Sequence, residues 1–97
     1  MPKVAPYDPR WGTGEARTAA QVEHLCAALR DPDPGAFFEA VGDVLRDRGG
    51  VGRAADRVGV TREHLHRALS ATGNLSFRTI FGLVRNMGLE LAVRRKE

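Results

Sequence analysis

Residues 54–70 read AADRVGVTREHLHRALS, two short helical patterns separated by Gly-Val-Thr. Ala54, Ala55 and Val58 share one side of the first pattern, and Leu65, Ala68 and Leu69 share one side of the second. Gly59 accepts a backbone conformation that a side chain would oppose, Val60 fills the turn, and Thr61 is placed to cap a helix over 62–71. The small alanines allow a close crossing of the two helices, which Val60 and Leu65 lock from the inside. This is a helix-turn-helix arrangement over residues 51–71, and in that geometry the start of the second helix stands out of the domain, where it can enter a major groove.

The outward side of that second helix carries Arg62, Glu63, His66 and Arg67, with Arg53 near the start of the first. Arg62 and Arg67 can donate paired bonds to guanine, and Glu63 can accept from cytosine or orient a neighbouring arginine. His66 can reach a base edge or a phosphate. Thr61 and the helix start suit a phosphate, and Arg53 can grip the backbone beside it. The same residues also suit a solvated bundle face, since Glu63 and Arg67 form an i,i+4 pair of the kind found on any surface helix.

Charge is segregated along the chain. Residues 1–49 hold 6 basic and 8 acidic side chains, whereas 50–86 hold six arginines (Arg53, Arg57, Arg62, Arg67, Arg78, Arg85) against Asp56 and Glu63. The second half is thus suited to an anionic partner, which favours double-stranded DNA. With 42% hydrophobic and 28% charged residues in 97, the composition is that of one soluble domain with a modest core, for which a homodimer is a natural source of added stability. No apolar run approaches the roughly 20 residues of a membrane span, and MPKVAPYDPRW lacks the apolar segment of a signal peptide, so a cytoplasmic location is expected.

The remaining elements read as helices. Residues 1–17 have Pro and Gly without period and form an irregular N-terminal arm. Thr18 caps a helix over 18–30, with Val22, Leu25, Cys26 and Leu29 along one face and Cys26 expected to be buried. Asp33 caps the next helix, Pro34 opens it, Phe37, Phe38, Val41, Val44 and Leu45 form its stripe, and Gly49-Gly50 end it. Ser76 caps a fifth helix with Phe77, Ile80, Phe81, Val84 and Met87 facing the core. LELAV at 89–93 alternates as a short C-terminal strand would. The expected fold is all-α, five helices in one domain over 18–97 behind the arm.

Metal and catalytic readings are weak. The pairs His24/Cys26 and His64/His66 stand two apart on helices, where side chains diverge by roughly 200°. Ser70, Ser76 and Cys26 have no His-Asp arrangement, and no phosphate loop is present, so neither an enzyme nor a cofactor is expected.

The order AVGDVLR, then A-x-x-VGVTRE-x-L-x-x-ALS, then GN-x-SF-x-TI, then NMGLEL resembles the HigA-like antidote proteins of addiction modules, helix-turn-helix regulators of the Cro/repressor class. The resemblance implies a type II antitoxin that binds a RelE/ParE-like toxin and represses its own operon. It places Thr61, Arg62, Glu63, His66 and Arg67 on the recognition segment, and Arg53 where relatives often place a supporting Gln. Leu75 replaces a usual Pro and His66 a common Tyr. The toxin surface is expected on the arm and first helix, at Tyr7, Trp11, Val22, Leu25 and Leu29 with Val4, because these apolar groups exceed what the helix-turn-helix unit needs. A homodimer contact is expected on the fifth helix and 89–93. The alternatives are a helix-turn-helix regulator without a toxin and a helical interaction module that binds no DNA.

Overall fold

The computed structural model describes residues 11–70 and 72–96. Five helices follow in order: α1 (Gly14–Leu29), α2 (Pro34–Asp47), α3 (Val51–Val58), α4 (Arg62–Ala68) and α5 (Phe77–Asn86). The all-helical expectation holds, and α2, α3 and the start of α4 lie where the sequence signals place them. Asp33 Oδ1 accepts from the Gly35 amide at 3.0 Å with Pro34 at the first helical position, and Ser76 Oγ accepts from Thr79 N–H at 3.2 Å ahead of α5.

The core forms where α2, α3, α4 and α5 meet. Val41 and Val44 of α2, Leu65 of α4 and Leu83 of α5 are completely buried, with Ala55, Leu69, Ile80 and Val84 around them. The small Ala54 and Ala55 of α3 are among these buried residues, as the close crossing requires. Leu75 is buried at 7% exposure, so the residue that departs from the expected Pro acts as core packing at the entry to α5.

Helix α1 is joined to this unit by a polar hub. Gln21 is fully buried and Asp47 keeps 8% exposure. Asp47 Oδ2 accepts from Gln21 Nε2 and from Arg17 Nε, both at 2.6 Å, and Arg17 Nη2 donates to the Asp47 carbonyl at 2.7 Å. Arg48 Nε donates to Gln21 Oε1 and its Nη1 to the Met87 carbonyl at the end of α5, both at 2.7 Å. One chain of bonds therefore links α1, the end of α2 and the end of α5. Burial, and secondarily the Arg17 guanidinium, lowers the Arg48 pKa from its ordinary value against the opposing pull of Asp47.

Five expectations are corrected. α1 begins at Gly14, after Thr13, so Thr18 sits inside the helix and does not cap it. Its buried side passes through Gln21 and Leu25, not through the stripe 22–26–29, and Cys26 is exposed. The reason is the hub: a fully bonded Gln21 is cheaper to bury than it looks in sequence, and it rotates Val22, Cys26 and Leu29 outward. On α5 the inner face is Ile80, Leu83, Val84 and Met87, a complete helical stripe; Phe77 is 72% and Phe81 43% exposed. Residues 89–93 form no strand among the described residues, because alternation without a neighbouring strand has no ladder to join. Leu89 and Leu91 pack on the core and Val93 lies in solvent. Helix α4 ends at Ala68, shorter than the sequence pattern suggests.

Removing the hub's acceptor leaves a buried amide and a guanidinium without their partner. Asp47→Ala is expected to lower unfolding stability by about 2–4 kcal/mol in urea titrations. A loss under about 0.5 kcal/mol would mean that the hub is dispensable.

Candidate nucleic-acid interface

The α3–turn–α4 unit is fixed by local chemistry. Gly59 has φ +75° in the left-handed region, with its N–H bonded to the Ala55 carbonyl, which also accepts from the Val60 amide at 3.1 Å. Thr61 then adopts an extended conformation, and its Oγ1 accepts from the His64 amide at 3.1 Å. Leu65, fully buried, with Ala68 and Leu69 pins the inner side of α4. The inward and outward faces of a helix this short are set by these three anchors, so its polar side chains are left on the exposed side.

Thr61, Arg62, Glu63, His64, His66 and Arg67 are all exposed, and so are Arg53 and Arg57 of α3. The structure brings Arg62 back over α3. Gly52 leaves room for it, since a Cβ there would lie 3.4 Å from Arg62 Cδ. Arg53 turns the other way, over Gly49, where a Cβ would meet Arg53 Cδ at 3.3 Å. Among the described residues neither Glu63 nor Arg67 makes an ion pair, so the i,i+4 attraction that a plain surface helix would use is not formed and both groups remain open to a ligand.

The residues expected to face a toxin separate into two groups. Trp11 is 3% and Leu25 6% exposed, both part of this chain's own core. The Trp11 and His24 rings meet in a T-shaped contact, with centroids 5.0 Å apart and planes at 69°, and His24 Nε2 lies 3.1 Å from Asp43 Oδ2. Burial takes Trp11 and Leu25 out of the exposed surface. Val22 at 37% and Leu29 at 56% exposure stay available on α1, one turn either side of the exposed Cys26. Tyr7 and Val4 lie outside the described residues. Sequence reading missed His64, which shares the exposed polar surface of α4, and missed the hub residues Arg17 and Arg48, whose partners lie roughly 30 residues away and leave no local signal.

Among the described residues no helix is long and apolar enough to cross a membrane. The fold and this surface define a small all-helical domain that displays a short cation-bearing helix on a rigid turn. Residues 16–95, from the first turn of α1 past the end of α5, match the family described as probable addiction module antidote protein. The chain is also 31% identical over 72 residues to an uncharacterized protein of Haemophilus influenzae, a match covering 74% of this chain and 73% of the other. No solved structure matches it. The chain belongs to the addiction module antidote family, whose members in general have a toxin as partner.

Gly59 meets nothing within 4 Å of an added Cβ, so a substitution there is opposed by the backbone alone. Gly59→Ala is expected to cost about 1–2 kcal/mol in thermal unfolding, and Gly59→Asn less, because asparagine tolerates the left-handed region. Equal costs for the two would show that the turn relaxes away from that conformation.

Proposed function

We propose that the protein is a type II antitoxin of the HigA-like, Cro/repressor helix-turn-helix kind, which binds a RelE/ParE-like toxin and represses its own operon. One observation carries the DNA-binding half of this reading: α4 has three apolar anchors turned inward and Thr61, Arg62, Glu63, His66 and Arg67 all exposed on a turn fixed by Gly59. In a major groove, Arg62 and Arg67 present planar donor forks to guanine O6 and N7. Glu63 serves as acceptor for a cytosine amino group or as an anchor for a neighbouring arginine. The Thr61 hydroxyl, an acceptor for the His64 amide, keeps its own hydrogen for a phosphate, and Arg53 approaches the backbone from α3.

Membership in the antidote family supports the toxin-binding half. On this reading the toxin covers the outer side of α1, where Val22 and Leu29 stand exposed with Glu15 and Glu23 among them. This side carries exposed apolar groups with Glu15, Glu23 and Arg30, while the α3–α4 surface is rich in arginine, so one molecule can hold a toxin and a duplex on different faces. Homodimer contact is assigned to α5, where Phe77 and Phe81 stack at 5.9 Å outside the core and the Arg85 guanidinium lies 5.5 Å from the Phe81 ring. Two such pairs meeting across a two-fold axis would remove aromatic surface that the monomer leaves in water.

The test is binding of the full chain to the DNA upstream of its own gene. Arg62→Ala and Arg67→Ala are each expected to weaken it by about 10- to 100-fold, the double variant to lose specific binding, and the thermal unfolding midpoint to stay unchanged. Retained affinity in the double variant would exclude α4 as the reading helix.

A further inference from the structure

Where the first turns of α1 meet the corner between α2 and α3, an open cleft of about 460 Å³ is lined by Arg17, Thr18, Asp47, Arg48, Gly49 and Arg53. Three guanidiniums line it beside a single carboxylate, that of Asp47, to which Arg17 is bonded. Two of them are fixed in advance by the hub: Arg17 uses Nε and Nη2 on Asp47, and Arg48 uses Nε on Gln21 and Nη1 on the Met87 carbonyl. Arg17 Nη1 and Arg48 Nη2 keep their hydrogens, and Arg53 has no bonded partner among the described residues.

This arrangement is unusual for a purely structural ion pair. A structural pair needs one cation per carboxylate, and the surplus of positive charge in a recess is a cost that an anion would remove. The Arg48 pKa is lowered first by burial and second by the Arg17 guanidinium, and the second of these is the repulsion between neighbouring cations. Side chains held by other bonds lose little rotamer freedom when a ligand arrives, so the donors are preorganised. Arginine forks suit a tetrahedral oxyanion with several acceptor oxygens.

Position indicates which anion. Arg53 lines the cleft from the first turn of α3, and its chain neighbour Gly52 carries the stem of Arg62 on another side of that turn. The cleft and the start of α4 therefore flank the same first turn of α3. We propose that it seats one backbone phosphate of the duplex whose bases α4 reads, with Arg17, Arg48 and Arg53 as donors and the Thr18 hydroxyl beside them. This rests on the DNA-binding reading above and extends the interface to α1 and the end of α2.

Thr18→Glu tests it, because Thr18 lines the cleft yet takes no part in the hub, so the variant adds a carboxylate without breaking a bond. Ala19→Glu adds the same charge at the next, exposed position of α1, turned about 100° away. With the full chain and its upstream DNA, Thr18→Glu is expected to weaken binding about tenfold and to flatten the plot of log affinity against log salt by roughly 0.9, one phosphate's worth. Ala19→Glu should leave the slope unchanged. Equal behaviour of the two variants, while Arg62→Ala still loses binding, would overturn the cleft and spare the α4 assignment. Should the native chain ignore the DNA altogether, that assignment fails separately. Titration of the free protein with inorganic phosphate, followed at the Thr18 and Gly49 amides by NMR, then decides: saturable shifts absent from Thr18→Glu uphold a phosphate site with another source, and unshifted amides overturn it.

Discussion

Asp47 holds its carboxylate at the edge of the core with only 5% of its side chain exposed, and what surrounds it determines how the helices stand. A charge that far from water must be bonded on the spot, and Arg17 and Gln21 supply those bonds from α1. Gln21 in turn accepts from Arg48, which reaches the end of α5. The hub thus sets the rotation of α1, anchors the last turn of α2 directly ahead of Gly49-Gly50, and fixes the point from which α3 departs. Because α4 follows α3 across a three-residue turn, the direction of its polar face is inherited from the same place.

The consequence is a division of the surface by chemistry. α1 turns Val22 and Leu29 outward, α4 turns out arginines, and α5 leaves the Phe77–Phe81 pair in solvent. An antidote has to meet a toxin, and in the proposed reading also DNA and a second copy of itself. Separate faces allow these contacts to coexist, and rigid attachment of α1 to α2 through the hub offers a path by which one could influence another.

How much of this could be read from sequence depended on how local the physics is. The α3–α4 turn was legible because Gly59, Thr61 and the Leu65–Ala68–Leu69 anchors all act within a dozen residues, and the same holds for Asp33-Pro34 and Ser76. Gln21 was illegible because its burial depends on Asp47 and Arg48, 26 and 27 residues away. Those unseen contacts misdirected most of the α1 face, so Cys26 looked buried, while Leu25, which does lie inward with the expected stripe, was also counted as toxin surface. Phe77 and Phe81 misled for a different reason: the apolar stripe of α5 is wider than the face the core can cover, and periodicity alone does not say which edge is left out. In the site, the α4 side chains followed from the turn, whereas the arginine-lined cleft, built from three elements, had no signature in any one of them.

The central claim is that DNA and toxin occupy different faces of one small helical domain. Hydrogen exchange of the full chain, measured alone, with its upstream DNA and with the toxin encoded beside it, tests this most directly. The account predicts that DNA raises protection over residues 48–70 with a smaller effect at the start of α1, and that toxin raises it over the rest of α1. Protection by both ligands on the same segment, or none over 48–70 with DNA bound, would contradict it.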